Sequence, residues 1–403
     1  MSSEFESGES LWRKVARTTR KSCESERNSL RMWSLSEKRI GRFLVMRYSC
    51  CRKLRRNSVR VGQIGEFGLI GRISAMLAEQ APGVVRGIGD DVAVLDTSGP
   101  EYLLATCDTQ VEGVHFTRKA MTPYQLGRKV VAINVSDIAA MGGDPRWVLV
   151  SLAIPGDTEV DYVDELYRGM REQSALAGAS IVGGNLSRMK SIIVVDFTLL
   201  GLIVPERLTL RSTARAGDAI LLTGSPGESR AGLELIRRPE LAVSFSSRQN
   251  LIERHLCPQP RLVEGQLLAR SGHVTSMIDV SDGVIGDLCH ICKSSGKGAE
   301  IEAASLPLSS AVCEAARAAG ADSLEWALSG GEDYELMFTS SPEAVPVLKK
   351  MLLDETGTSC AQIGKITAQV GELWVRLAME SGLPRRQQAG TIFVETAGRT
   401  DLG

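Results

Sequence analysis

The stretch Thr122–Pro145, TPYQLGRKVVAINVSDIAAMGGDP, decides the fold. Thr122 followed by Pro123 reads as a helix start, with a hydroxyl cap and a proline at the first helical position, where a missing N–H costs nothing. Apolar residues continue through Val130, Val131, Ile133, Ile138 and Ala139, so the helix is mostly buried. It runs to about Met141 and stops at Gly142-Gly143. Asn134, Asp137 and Met141, at spacings of three and four, share one face. A carboxylate on such a helix is costly unless it is paired or holds a cation.

Outward from this helix, short apolar strands alternate with helical patterns, which predicts α/β (α+β) layers beginning near Gly62. Tyr102 to Thr106 reads as a strand ending in an acidic turn at Cys107-Asp108. Ser180-Ile181-Val182 reads as a strand that leads into a Gly183-Gly184 turn. Ser191 to Val204 is a long strand rich in Ile and Val. Ala219 to Thr223 opens a second set of strands after the turn Arg215-Ala216-Gly217-Asp218. A boundary between about 204 and 216 divides the chain into an N-terminal domain (61–207) and a C-terminal α/β domain (208–403), preceded by an extension (1–60). The 403 residues suit two domains of ordinary size, and 43% apolar content is ample for buried cores.

The longest apolar candidate for a membrane span, Ile192 to Pro205, is short and interrupted by Asp196, which argues against a membrane protein. Nine cysteines without a zinc-like repeat or a secretory signal read as reduced thiols of a cytoplasmic protein. The pair Cys289 and Cys292 reads as a helix turn within DLCHICKSSG. Net charge is −1, but residues 1–60 carry 16 Lys/Arg against 6 Asp/Glu. These basic residues are scattered among Ser and Glu with few aromatic groups to stack on bases, which argues against nucleic acid and for a disordered extension.

The chemistry lies in acidic residues beside glycines and strand ends. They are GIGDD (Gly87–Asp91), TCDTQVEGVHF (Thr106–Phe116), NVSDIAAMGGDP (Asn134–Pro145), GGN (Gly183–Asn185), DVSDG (Asp279–Gly283) and SGGEDYEL (Ser329–Leu336). Any one aspartate is read equally well as a cap or an ion-pair partner. Together they resemble what a hard cation needs, oxygen ligands from several elements with phosphate oxygens supplying the rest. The glycines at 183 and 184 let backbone N–H groups approach an anion, and Arg211 is a candidate bidentate phosphate clamp. The chain has no GxxxxGK[ST] and no HRD or DFG set, and its histidines fall in no nucleophile motif. Phosphate chemistry by carboxylates and divalent cations implies positioning and charge neutralisation.

From about Gly62 to Ile366 the chain resembles the thiamine-monophosphate kinases, of the superfamily that includes aminoimidazole ribonucleotide synthetase. The resemblance rests on GEFGLI, GIGDD, DTQVEGVHF, NVSDIAAMGGDPRW, LRSTARAGDAILLTGSPG, DVSDG and SGGEDYEL. It implies a two-domain aminoimidazole ribonucleotide synthetase-like fold whose N-terminal domains form the sheet of a homodimer. It implies transfer of the γ-phosphoryl of ATP to thiamine monophosphate, giving thiamine diphosphate. By position, Asp91, Thr106, Asp108, Asp137, Asp279 and Asp282 would hold several Mg²⁺ ions. Gly184, Asn185, Arg211 and Ser281 would contact ATP, and His115 and Glu332 would face thiamine monophosphate. Asp90 reads as a turn residue rather than a ligand.

Three departures stand out: Asn185 replaces an Asp, Cys107 replaces a hydroxyl residue, and the C-terminal segment that covers the substrate keeps only Phe393. Two further readings compete with the kinase. One is another ATP-dependent synthetase of the superfamily, the other a degenerate, non-catalytic nucleotide-binding protein.

Overall fold

A computed structural model of the chain describes residues 61–77, 82–377 and 391–395. The basic extension 1–60 lies outside the described residues. The described residues fall into two units, parted between Ile73 and Ser74. In the first, the described part belongs to helix α1 (Val61–Met76), kinked at Gly65.

The second unit contains two sheets. The first is built from β1 (Val84–Arg86), β2 (Ala93–Asp96), β3 (Tyr102–Val111), β4 (Asp144–Pro155), β5 (Ser180–Met189) and β6 (Val194–Ile203), in the order β1-β2-β3-β6-β4-β5. Helices α2 (Pro123–Ala140) and α3 (Val160–Leu176) lie between its strands in sequence. Next come β7 (Ala219–Thr223), α4 (Glu228–Arg237), α5 (Phe245–Leu256), α6 (Leu262–Ser271), β8 (Val274–Asp279), α7 (Val284–Ser295) and β9 (Gly298–Glu302). Then follow α8 (Ser310–Ala319), α9 (Ser323–Ser329), β10 (Leu336–Ser340), α10 (Val345–Thr356), β11 (Cys360–Thr367), β12 (Glu372–Arg376) and β13 (Thr391–Glu395). These strands make a second sheet in the order β13-β12-β9-β11-β7-β10-β8.

The decisive helix forms as its sequence requires. Thr122 accepts from the Gln125 N–H, Gln125 returns the bond to the Thr122 N–H, and Pro123 opens α2; this reciprocal capping box satisfies two otherwise orphan donors. Val130, Val131, Ile133, Ile138 and Ala139 are all buried. α2 packs on α3, β3 and β6, and also on α6 and β8 of the other half, so it links the two sheets.

Two strand expectations need correction. β3 does not end in a turn at Cys107-Asp108; it runs to Val111, because β6 pairs with it from Tyr102↔Ile203 to Val111↔Val194. Likewise Gly183-Gly184 is not a turn. β5 continues through it against β4, with Val182 as an extra bulged residue between Ile181 and Gly183. Glycine is required at 184 because a Cβ would collide with the Val150 carbonyl of β4.

One face of the first sheet is covered by α2 and α3; among the described residues of this unit no helix covers the other. On the bare face Trp147 and Leu149 are each 42% exposed, and Val182, at the bulge, more so. No helix among the described residues is long and apolar enough to cross a membrane. Cys289 and Cys292 lie on α7 as free thiols, which burial pushes up to about 11 and about 12.

Candidate active site

Three aspartates from distant parts of the chain converge. Carboxylate oxygens of Asp91, Asp137 and Asp279 lie within 4.8 Å of one another. Asp91 follows the loop before β2, Asp137 is in the last turns of α2, and Asp279 ends β8. Hydroxyls hold two of them: Thr106 Oγ1 donates to Asp137 (2.6 Å) and Ser136 Oγ to Asp279 (2.7 Å). Arg211 closes the third side, Nε donating to Asp91 (3.0 Å) with a second bond from Nη2.

The electrostatics are those of a site short of positive charge. Burial, then the neighbouring Asp91, pushes Asp279 up to about 8. Burial, then Asp279, Asp108 and Asp91, raises Asp137 well above the usual carboxylate range. Asp108 is raised by burial against the pull of His115. Like charges this close strain one another unless a cation or protons intervene. The all-oxygen donor set fits a hard divalent cation such as Mg²⁺.

The sequence-derived candidates are not all placed alike. Asp91, Asp137 and Asp279 come together with Thr106, and Asp108 lies near enough to raise Asp137. Asp282 is exposed and outside the three-aspartate group, its backbone N–H donating to Asp287. Arg211, read as a bidentate phosphate clamp, directs its guanidinium at Asp91. Asp90 accepts from Arg86 (3.1 Å) and from the Arg211 backbone N–H. Asn185 pairs in register with Ser151, which in turn faces Asp196. It therefore points to the bare face with Cys107 and Thr109, which bond to Asp196, and away from Thr106 and Asp108. Its amide donates to Ser187.

Strand pairing explains why DVSDG and SGGEDYEL, some fifty residues apart, act as one unit. β10 runs antiparallel to β8 with Leu336 opposite Asp279. Beyond the strands the ladder continues: Glu332 N–H donates to Ser281 O (2.7 Å) and Tyr334 N–H to Val280 O (2.8 Å). Gly331 is needed for this approach, since a Cβ there would meet the Ser281 carbonyl at 2.5 Å. Ser281 is thus fixed on both sides, its N–H given to Asp287.

Glu332 sits at the far side of this turn, half-buried. One carboxylate oxygen is 3.1 Å from Lys129 Nζ and the other 3.4 Å from His255 Nδ1. His255 and His115 both line a cavity of about 340 Å³ with Phe116, Met121 and Leu256. His115 Nδ1 accepts from the Val111 N–H (3.0 Å), so the ring keeps its proton on Nε2. Tyr334 is buried close enough to Glu332, Asp108, Asp279 and Asp137 that their charges add to the effect of its burial and raise its pKa.

Residues missed in the sequence do much of the positioning. Asp333, to which the sequence reading gave no role, accepts from Gly227 N–H (2.6 Å) and Ser229 N–H (3.0 Å) at the start of α4. Glu335 takes a two-pronged bond from Arg261 (2.6 and 2.7 Å) and one from Thr223 Oγ1. Lys129 carried one signal, a charge inside the apolar run Leu126–Ile133. His255 carried none, because its partners are brought up only by folding; Asp287 lies in the first turn of α7 and accepts from Ser281 and Asp282, only six and five residues upstream, a local signal left unread.

Comparison with known proteins agrees with this architecture. The profile described as AIR synthase related protein, N-terminal domain, matches residues 89–203, and that of the C-terminal domain matches 215–375. The thiamine-monophosphate kinase of Escherichia coli (strain K12) is 37% identical over 310 residues, 76% of this chain and 91% of that one. That of Aquifex aeolicus (strain VF5) is 38% identical over 286 residues, 71% and 89%. A solved structure described as AaThiL complexed with AMPPCP and TMP superposes with a TM-score of 0.70 at 32% identity, covering 83% of this chain and 99% of that one. With both profiles matched and this identity spread over most of its relatives' length, the chain belongs to the thiamine-monophosphate kinase family of AIR synthase related proteins.

Proposed function

We propose that this chain phosphorylates thiamine monophosphate with ATP, giving thiamine diphosphate. The observation that carries the reading is the convergence of Asp91, Asp137 and Asp279, with Asp108 close enough to act both on Asp137 and on the cavity-lining His115. The relative whose structure is described as holding AMPPCP and TMP supports the same pair of substrates.

Asp91, Asp137 and Asp279, with Asp108 and Thr106, would hold Mg²⁺; bound there it would neutralise phosphate charge. The remaining work falls to the chain. Gly184, Ser281 and Arg211 serve the nucleotide, Arg211 being already held at the rim of the aspartates by Asp91 and Asp90. His115 offers its Nε2–H to the acceptor in the cavity, while Glu332 presents its carboxylate to the cationic thiazolium ring. The acceptor phosphate oxygen is ionised at neutral pH, so no protein group needs to remove a proton or form a covalent phospho-enzyme. Alignment of two polyanions is the whole task.

The working form is a homodimer joined through the bare face of the first sheet. The exposed Trp147, Leu149 and Val182 support this, since an apolar sheet face of this kind marks an interface. Asn185 and Cys107 lie on that face, so they act at the interface rather than as ligands within one chain.

The test is a product assay with ATP, Mg²⁺ and thiamine monophosphate, using unphosphorylated thiamine as control acceptor. Thiamine diphosphate from the monophosphate alone is expected. ATP binding without product would refute the kinase reading.

A further inference from the structure

Lys129 is fully buried on α2, and its ammonium has no well-directed hydrogen bond among the described residues. Among the described residues its one counter-ion is Glu332, 3.1 Å away. Glu332 and Tyr334 both adopt left-handed backbone, at φ 66° and 52°, a conformation that non-glycine residues hold only when their surroundings impose it. The turn 331–335 is pinned by three anchors from three elements: the start of α4 on Asp333, Arg261 on Glu335, and Lys129 on Glu332. Of the three carboxylates, Glu332 alone is also beside His255 at the cavity wall.

The anchor has a definite reference point. Lys129 precedes Asp137 by eight residues on one uninterrupted helix, which spans on the order of 12 Å. Ser136 of the same helix holds Asp279. α2 therefore grips the acidic cluster near one end and Glu332 nearer the other.

We propose that Lys129 is a positioning residue that sets where the acceptor-facing Glu332 carboxylate stands relative to the aspartate cluster, and so determines affinity for the thiazolium-bearing acceptor rather than for the nucleotide. This rests on the kinase reading above. Lys129 acts through Glu332 and does not itself touch the reacting atoms.

Lys129→Met and Lys129→Arg would be measured against the native chain. The readouts are KM for each substrate, kcat, and calorimetric binding of thiamine monophosphate. Lys129→Met is expected to raise KM and Kd for thiamine monophosphate at least tenfold while KM for ATP stays within threefold. Lys129→Arg, which keeps the cation, is expected to recover most of that affinity. If Lys129→Met does not fold, the double variant Lys129→Met/Glu332→Gln, which leaves no buried unpaired charge, is expected to fold and to bind thiamine monophosphate as weakly as Glu332→Gln alone, because Lys129 acts only through Glu332. A further one-sided loss beyond Glu332→Gln would overturn the proposal. A loss confined to kcat, equal changes for both substrates, or failure of the double variant to fold would assign Lys129 to the core alone and overturn the proposal. Absence of product from the native chain would instead overturn the kinase reading beneath it.

Discussion

Asp279→Asn, studied without metal, tests the account of the acidic cluster most directly. Asp279 is 2% exposed, and its carboxyl is pushed up to about 8 by burial and by Asp91, against about 3.9 in an unfolded chain. The folded value is the higher one, so between about pH 4 and 8 the native state holds a proton that the unfolded chain releases. Stability therefore falls as pH rises through that window. At pH 7 the cost is about three pH units of linkage, or about 4 kcal/mol. For a body of this size that is roughly 8 °C in Tm. Asparagine keeps the shape and an oxygen to accept from Ser136, but does not titrate. In EDTA at pH 7.5 the variant should melt several degrees above the native protein, and the gap should shrink to about 1 kcal/mol at pH 4.5. Mg²⁺ should then stabilise the native chain more than the variant, because only the native site regains a full complement of charge. A variant less stable than the native protein in EDTA at pH 7.5, or a gap independent of pH, would refute the claim that uncompensated carboxylate charge is concentrated here.

Asp137→Ala should lower turnover by about 10²–10³-fold or more with an unchanged circular dichroism spectrum; near-native turnover would remove Asp137 from the site. His255 is buried and, through burial and then the Lys129 charge, held down to about 4. It is neutral in the fold where the unfolded chain would charge, so stability is complete above pH 6.5 and is lost, by about 3 kcal/mol, as pH falls toward 4. His255→Gln should flatten that acid limb in urea titrations, and an unaltered limb would place the acid sensitivity elsewhere. Leu149→Asp, on the bare sheet face, should convert a species of twice the chain mass to one of single mass in light scattering; an unchanged mass would locate the dimer contact on another surface.

Local rules made α2 legible. A hydroxyl cap, a proline at the first position, an apolar run and a terminating Gly pair lie within 24 consecutive residues, and each acts over a turn or less. β7, at Ala219–Thr223, was equally legible because it is an uninterrupted apolar run. The misread elements are those in which a distant partner overrides local preference. Cys107-Asp108 continues as strand because β6 offers ten consecutive pairing positions. Gly183-Gly184 does so because β4 runs beside it and a bulge absorbs the extra residue.

The candidate site divides the same way. Acidic residues beside glycines mark segments that approach an anion or a cation, and that chemistry is written in residue type and spacing; the sequence determined that such a site exists and which family builds it. Which carboxylates share a cation is set by strand register and helix packing. Asp91, Asp137 and Asp279 meet because β8 ends against α2, while Asp282, three residues after Asp279, turns outward to solvent. Parity along β5 sends Asn185 to the opposite face from Asp108, a distinction that one residue of register would reverse. The partners of Glu332, Asp333 and Glu335 come from Lys129, the start of α4 and Arg261, between 74 and 203 positions away in the chain. No local spacing encodes such pairs, and only burial makes each of them obligatory.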